Sequence, residues 1–444
     1  MNILFISLGC DKNLVDSENM LGLINNHGYK LTDNENDADI IIINTCCFIN
    51  DAKEESINTI LDMAQYKENG RLKALIVTGC MAQRYKEEII KNLPEVDGIL
   101  GFTNNPSENN IIDLIESLVG KNDYKALSLN GNQENKRLLT TGGHYAYLKI
   151  ADGCDKHCTY CAIPMIRGKY RSRTIESLIE EANYLAKQGV KELILVAQET
   201  TLYGRDIYGK KELPKLLKEL CKIDGIEWIR VLYCYPEEIS DELIDTIKNE
   251  DKICKYIDIP IQHSSDRILK LMGRRTNKSD LINVINKLRN QIPDIVLRTT
   301  LITGFPSETD HDHKELIDFI KEMKFERLGV FMYSQEEDTP AYLLEPQINE
   351  NIKKKRHDEI MQIQQEIAFE YSKSLIGKTL NVLIEGQVVN EENIYIGRTY
   401  LDLPNIDGYI FVESNESLIT GNYINTKVIK EKGYDLIGKA LEGY

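Results

Sequence analysis

Ala38–Asn44 reads ADIIIIN, and this stretch decides the fold of the N-terminal part of the chain. Four consecutive isoleucines leave no polar face. The run therefore predicts a strand covered on both sides, as in parallel sheets flanked by helices. Outward from it the same signal recurs at Asn2–Leu8 and Lys73–Thr78, and Gly98–Gly101 begins a fourth run. Helical periodicity falls between them, over Asp16–Asn26 (stopped by His27-Gly28), Ala52–Lys67, Met81–Asn92 and Asn109–Val119. This alternation predicts an N-terminal α/β domain with a parallel sheet over residues 1–125. A linker follows at 126–140, its polar core at Asn130–Lys136.

The alternation resumes over residues 141–375. Predicted strands are Tyr145–Ile150, Glu192–Ala197, Trp228–Tyr233, Tyr256–Pro260, Val296–Thr303 and Arg327–Tyr333. Helices are expected over Ile175–Gln188, Leu213–Cys221, Glu242–Asn249, Asp280–Asn290 and Asp310–Met323. Six β/α units predict a partial (β/α)6 barrel of the TIM-like kind. A long charged helix, Asn349–Leu375, follows, and its basic start (Lys353, Lys354, Lys355, Arg356) reads as a solvated helix face. Residues 376–444 change character. Short β-like runs at Leu380–Glu385, Tyr409–Glu413 and Asn425–Ile429, broken by Gly and Asn, predict a small OB-like β-barrel. Within it six Lys or Arg face ten Asp or Glu, a net charge of 6 − 10 = −4.

The whole chain has 444 residues, 42% hydrophobic and 28% charged, which excludes a disordered chain, a collagen-like chain and a small disulfide scaffold. Apolar runs such as Ile40–Ile43 are too short to span a bilayer. Met1–Cys10 lacks the basic start and small-residue cleavage site of a signal peptide, so a cytoplasmic location and no membrane partner are expected. The net charge of −16 argues against a protein that lives by gripping phosphate backbones and favours basic protein partners. Nothing in the sequence speaks for a dimer, so a monomer is the default expectation.

Ten cysteines are many for a compartment that keeps thiols reduced. Cys47, Cys221, Cys234 and Cys254 read as small buried hydrophobes. The other six are patterned. Cys10, Cys46 and Cys80 each follow a predicted strand by two residues. Strand carboxyl ends form one rim of an open parallel sheet, so three thiols far apart in sequence would meet there. Convergent thiolates imply a metal site: zinc with a fourth ligand, or a four-iron cluster with one iron lacking a protein ligand. Cys47 should point elsewhere from an extended segment, though an alternative ligand role stays open.

Cys154, Cys158 and Cys161 form C-x-x-x-C-x-x-C in Ala151–Pro164, ADGCDKHCTYCAIP. The loop follows the first strand of the second domain, at the rim where barrel enzymes carry their sites. No second cysteine pair follows at zinc-finger spacing. Three ligands on a four-iron cluster again leave one iron open, and an open iron can chelate a cofactor. His157, inside the loop, reads as a spacer.

The motif, with aromatic Tyr160 before its last cysteine, resembles that of the radical S-adenosylmethionine enzymes. Six further stretches resemble their methylthiotransferase branch, of the RimO type: Ser7–Glu18 (SLGCDKNLVDSE), Asn44–Ile57 (NTCCFINDAKEESI), Ala197–Gly209 (AQETTLYGRDIYG), Asp258–Met272 (DIPIQHSSDRILKLM), Arg298–Thr309 (RTTLITGFPSET) and Tyr333–Leu344 (YSQEEDTPAYLL). The resemblance covers essentially the whole chain. It implies a methylthiotransferase α/β domain, a radical barrel and a C-terminal TRAM domain. Asp11 stands where the family often has proline, Cys47 where this branch often has glycine, and Gly273 interrupts a usual Met-Arg-Arg run. None of the three removes a cluster ligand.

The resemblance implies two [4Fe-4S] clusters and S-adenosyl-L-methionine as cofactors. Cys154, Cys158 and Cys161 would hold the cluster that cleaves S-adenosylmethionine to a radical. Cys10, Cys46 and Cys80 would hold the one that carries or donates sulfur. Tyr160 would pack by the adenine, Gln198 and Glu199 would meet the methionine amino group, and Gly304 would let backbone approach the adenosine. Arg298 and His263 also lie at strand ends, and His263 reads as a structural histidine. The implied product is a methylthio group on the β-carbon of an aspartate, in the twelfth protein of the small ribosomal subunit. That C–H bond is too strong for acid–base chemistry. Implied partners are this basic ribosomal protein, an electron donor of flavodoxin or ferredoxin type, and a sulfur source, without direct tRNA binding. The alternative is the sister activity on an adenosine of tRNA, which a basic C-terminal barrel would have favoured. A non-catalytic iron–sulfur or zinc protein is a third class, and the incomplete ligand sets argue against it.

Overall fold

In the computed structural model, which describes residues 1–102, 111–120 and 137–441, the isoleucine run is the centre of a five-stranded parallel sheet. Its strands are β1 (Asn2–Ser7), β2 (Lys30–Leu31), β3 (Ile40–Thr45), β4 (Ala74–Gly79) and β5 (Gly98–Leu100), in the order β2-β1-β3-β4-β5. Every residue of β3 and β4 is buried. Alternation splits them between two cores: Ile41, Ile43, Leu75 and Val77 face one, and Ile40, Ile42, Ala74 and Ile76 the other. The order reverses direction between β1 and β3. That is the topological switch point where open α/β sheets bind ligands.

Three helices differ from expectation. The first begins at Asp11, directly after Cys10, rather than at Asp16. The one expected over Ala52–Lys67 is Asn50–Ala64 followed by a short Tyr66–Asn69. Expected Met81–Asn92 is two helices, Cys80–Arg84 and Lys86–Asn92, broken at Tyr85 where φ is −120° and ψ 33°. The expected Asn109–Val119 helix is described from Ile111. The linker expected at 126–140 lies outside the described residues up to position 136.

Further along, β6 (Tyr145–Lys149) leads to a small hairpin of β7 (Ala151–Asp152) and β8 (Arg171–Ser172). Then come β9 (Glu192–Val196), β10 (Trp228–Val231), β11 (Ile253–Asp258), β12 (Val296–Thr303) and β13 (Arg327–Met332). The sheet β13-β12-β11-β10-β9-β6 is parallel throughout, giving the six-unit partial barrel. The chain ends in a closed barrel ordered β14-β15-β16-β18-β17. Its strands are β14 (Thr379–Gln387), β15 (Ile394–Arg398), β16 (Ile410–Glu413), β17 (Tyr423–Lys432) and β18 (Asp435–Ala440). Closure removes the open edges of a small sheet. The β15 and β18 strands were not legible as apolar runs, because Gly397 and Gly438 sit inside them.

The described chain packs as two units. One is Met1–Thr140 with Gly153–Lys156 and Cys161–Lys169; the other is Thr141–Asp152, His157–Tyr160 and Tyr170–Tyr444. Within the second, the C-terminal barrel meets the amino ends of the strands. Glu192, the first residue of β9, is fully buried and pairs with Arg230 at 2.8 Å and Arg398 at 2.6 Å. Arg398 also pairs with Glu385, which His144 reaches at 3.0 Å. Trp228, the first residue of β10, stacks edge-on against Tyr423. The barrel rim at the carboxyl ends is thus the opposite end of these strands.

The basic start of the long helix Glu350–Ser374 is a correction. Lys354 and Lys355 are exposed, but Lys353 and Arg356 are buried. Lys353 Nζ donates to the Tyr333 carbonyl at 2.8 Å, and Arg356 donates to Glu308 at 3.0 Å and Asp310 at 2.9 Å. Their three-residue spacing puts both on the face that continues through Ile360, Gln364 and Ile367.

Candidate functional site

Cys10, Cys46 and Cys80 come together at the carboxyl ends of β1, β3 and β4, around the switch point. Cys10 precedes the helix Asp11–Asn26, and Cys80 opens the helix Cys80–Arg84. Glycine precedes each of these two and permits the approach. Gly9 (φ +89°) carries no Cβ, and one would lie 2.7 Å from Cys46 Cβ and 3.0 Å from its Sγ. At Gly79 (φ +92°) a Cβ would lie 2.3 Å from Asn44 Oδ1. No L side chain fits either position. The adjacent pairs Gly9-Cys10 and Gly79-Cys80 are the sequence signal of this close approach.

Burial pushes the Cys46 and Cys80 thiols up, and the neighbouring Cys10 sulfur pushes the same way; beside Cys80, the Arg167 guanidinium opposes it. Such thiols give up their protons to a cationic partner such as iron. Cys10 is exposed, leaving one side of the group open. Among the described residues no three His, Cys, Asp or Glu side chains are grouped as ligands of a single metal ion. Three thiols with one open side are the donor set of a four-iron cluster that keeps one iron free of protein ligands. Cys47 is fully buried in the apolar core with Ile60 and Val77, as expected of a small hydrophobe.

The second group lies on the loop between β7 and the helix Ile163–Arg167. Cys154 is buried and its Sγ accepts the Lys156 N–H at 3.4 Å. Cys158 is buried, its Sγ 3.8 Å from the Tyr235 hydroxyl and 3.9 Å from Arg274 Nη1. Cys161 is half-buried, and His157 points to solvent. Arg274 also donates to the Pro260 carbonyl at 2.8 Å and lies over the Tyr235 ring. Sequence reasoning missed Arg274 and Tyr235, because nothing local marks a residue that acts from another strand end.

Of the expected cofactor contacts, Tyr160 and Gly304 share a neighbourhood. Tyr160 packs on a cluster that includes Ile302, Phe305 and Tyr333. Gly304 (φ +70°) has its missing Cβ position 2.3 Å from Lys353 Cγ, so the glycine admits the lysine stem. Gln198 Nε2 donates to Asp152 at 3.2 Å, while its Oε1 is buried without a hydrogen-bond partner among the described residues. An orphaned acceptor at a strand end suits an ammonium group of the expected cofactor. Glu199 is fully buried, and its carboxylate accepts the Thr201 N–H and hydroxyl. Arg298 pairs with Asp258 at 2.9 Å. His263 is fully buried, and its Nδ1 accepts the Ser265 N–H at 2.9 Å.

Three family descriptions match in the order the fold predicts: the uncharacterized protein family UPF0004 over residues 2–101, the Radical SAM superfamily over 148–320 and the TRAM domain over 376–441. A ribosomal protein uS12 methylthiotransferase RimO from Lachnoclostridium phytofermentans is 60% identical over 99% of this chain and 100% of its own. Others of the same description, from Acetivibrio thermocellus and Clostridioides difficile, are 52% and 50% identical, covering 98% and 99% of this chain and 97% and 99% of theirs. The chain belongs to the RimO family. Among solved structures, this RimO-family chain resembles TsrM, a radical S-adenosylmethionine methyltransferase from Kitasatospora setae with cobalamin and a [4Fe-4S] cluster bound. The TM-score is 0.54 at 13% identity, over 77% of this chain and 76% of that one. It also resembles OxsB, a cobalamin-dependent S-adenosylmethionine radical enzyme, with a TM-score of 0.50 at 14% identity over 83% and 56% of the two chains. At these identities the likeness concerns the fold.

Proposed function

We propose that this chain transfers a methylthio group to the β-carbon of an aspartate in ribosomal protein uS12. The observation that carries the reading is the meeting of Cys10, Cys46 and Cys80 at the switch point, in a chain that also holds Cys154, Cys158 and Cys161 on a barrel loop and is similar end to end to RimO enzymes. Cys154, Cys158 and Cys161 would hold one [4Fe-4S] cluster, and Cys10, Cys46 and Cys80 the other. When bound, the clusters and S-adenosylmethionine supply one-electron cleavage, hydrogen abstraction, sulfur and a methyl group.

The chain supplies position and exclusion. Gln198, whose Oε1 is buried without a partner among the described residues, would accept from the amino group of the methionine moiety. Tyr160, packed with Ile302, Phe305 and Tyr333, would wall the adenosine side. Arg274 keeps a cation beside Cys158, where it would offset the negative charge of thiolates holding a cluster. The domain division at 125, 140 and 375 belongs to the same reading. So do a monomeric state, a flavodoxin- or ferredoxin-type donor, a separate sulfur source, a cytoplasmic setting and no direct tRNA contact. The net charge of −4 over 376–444 supports a basic protein substrate over RNA. Among the described residues no helix is long and apolar enough to cross a membrane.

The test is to incubate the anaerobically reconstituted enzyme with S-adenosylmethionine, reductant and isolated uS12. One methylthio group should appear on one aspartate by peptide mass spectrometry. An unmodified uS12, with methylthioadenosine appearing in tRNA digests instead, overturns the reading.

A further inference from the structure

Arg167 is the last residue of the helix Ile163–Arg167, six positions beyond Cys161. Its side chain is 1% exposed, although arginine is rarely buried without a task. The guanidinium donates to Asp16 Oδ2 at 3.0 Å, to Asn13 Oδ1 at 3.3 Å and to Cys80 Sγ at 3.8 Å, and lies 4.2 Å over the Phe102 ring. The helix carrying it is anchored, since Ala162 and Ile166 pack into the same core as Cys80, Met81 and Val77.

Asn13 extends this reach. It is fully buried, and its Nδ2 donates to the Leu8 carbonyl at 2.6 Å and the Thr45 carbonyl at 3.2 Å. Leu8 follows the end of β1 two residues before Cys10, and Thr45 ends β3 immediately before Cys46. The Asn13 carbonyl in turn accepts from Asn44 Nδ2 at 2.9 Å. One guanidinium therefore touches the third cysteine directly and the segments of the other two through a single asparagine. A planar fork with five donors makes these contacts at once, while a lysine can still place its charge beside Cys80 and reach one acceptor.

We propose that Arg167 is a positioning residue for the Cys10/Cys46/Cys80 cluster: through Asn13 it holds the three strand ends in register, and beside Cys80 it places a fixed cation that raises the cluster's reduction potential. The inference rests on the reading that these cysteines hold a cluster. Its physical basis is that a cation or N–H donor at a ligating sulfur favours the more negative, reduced state. Arg274 at Cys158 is the same device on the other cysteine group.

The experiment uses the full chain carrying Cys154→Ala, Cys158→Ala and Cys161→Ala, so that iron reports the N-terminal cluster alone. Iron and sulfide are measured after anaerobic reconstitution, and the midpoint potential by a redox titration followed by electron paramagnetic resonance. Adding Arg167→Gln should shift the midpoint to more negative potential. At the potential where the background chain is half reduced, the reduced-to-oxidised ratio should fall at least about threefold. Arg167→Lys should recover part of that shift. Loss of iron in Arg167→Gln, restored in Arg167→Lys, also supports the assignment. Equal iron and equal midpoints in all three chains overturn it and leave the cluster reading standing. Equal loss of iron in both variants overturns it too, since charge would then not matter. A background chain that holds no iron removes the cluster reading itself, and the assignment with it.

Discussion

Single residues at this site do work that their neighbours in sequence do not reveal. His263 lies beyond a strand end and reads from the sequence as a structural histidine. It is fully buried, with its Nε2 3.9 Å from Glu308. Burial pushes its pKa down to about 3 from an ordinary 6.5, and the cations of Arg267 and Arg356 add to this against the pull of Asp312. The folded chain therefore keeps His263 neutral where the unfolded chain protonates it. Below about pH 6.5 the unfolded state binds more protons, and stability from this residue is lost as pH falls toward about 3. Unfolding midpoints of the parent should drop between pH 7 and pH 5. The slope should be shallower in His263→Gln, by up to about 1.4 kcal/mol per pH unit for one proton. Parallel curves for the two proteins would show that other groups set the acid limit.

Whole elements carry their own energetics. The β9 strand reads ELILV, and all five residues are buried, the glutamate included. Burial alone would raise the Glu192 carboxyl, but Arg398 and Arg230 outweigh it and hold it below the usual range. The pair of arginines comes from two elements, since Arg230 lies in β10 and Arg398 ends β15. Removing the carboxylate leaves two buried cations facing each other, at a cost of about 3–5 kcal/mol. Glu192→Ala should loosen the C-terminal barrel from the amino ends of the parallel strands. Limited proteolysis should then cut near residues 376–378, ahead of β14, faster than in the parent. An unchanged digestion pattern would mean that Trp228–Tyr423 packing and the Arg327–Asp402 pair suffice.

On the scale of the whole molecule, two cysteine groups imply two separable tasks. The Cys10→Ala/Cys46→Ala/Cys80→Ala chain should retain about four irons of about eight and still cleave S-adenosylmethionine to 5′-deoxyadenosine under reduction. It should add no methylthio group to uS12. Sulfur transfer persisting in this variant would place the sulfur chemistry on the remaining cluster.

The sequence alone was sufficient for the periodic and the covalent features. Unbroken apolar runs such as Ile40–Ile43 marked buried strands, because a strand with no polar face has only one environment. The spacing of Cys154, Cys158 and Cys161 marked the loop, since ligands on one short segment are set by chain connectivity. The strand-end positions of Cys10, Cys46 and Cys80 marked a rim, because topology places all carboxyl ends of a parallel sheet together. Other features needed the tertiary structure. Lys353 and Arg356 looked solvated in a charged helix, yet their partners Tyr333 and Glu308 come from other parts of the chain. Arg167 and Asn13 carried no local signal, since their contacts join segments separated by up to 154 residues. Glu192 opened an apolar strand with its two arginines 38 and 206 residues away. Periodicity reports which way a side chain faces. Only packing decides what it meets there, and for a buried charge that partner determines whether it can exist at all.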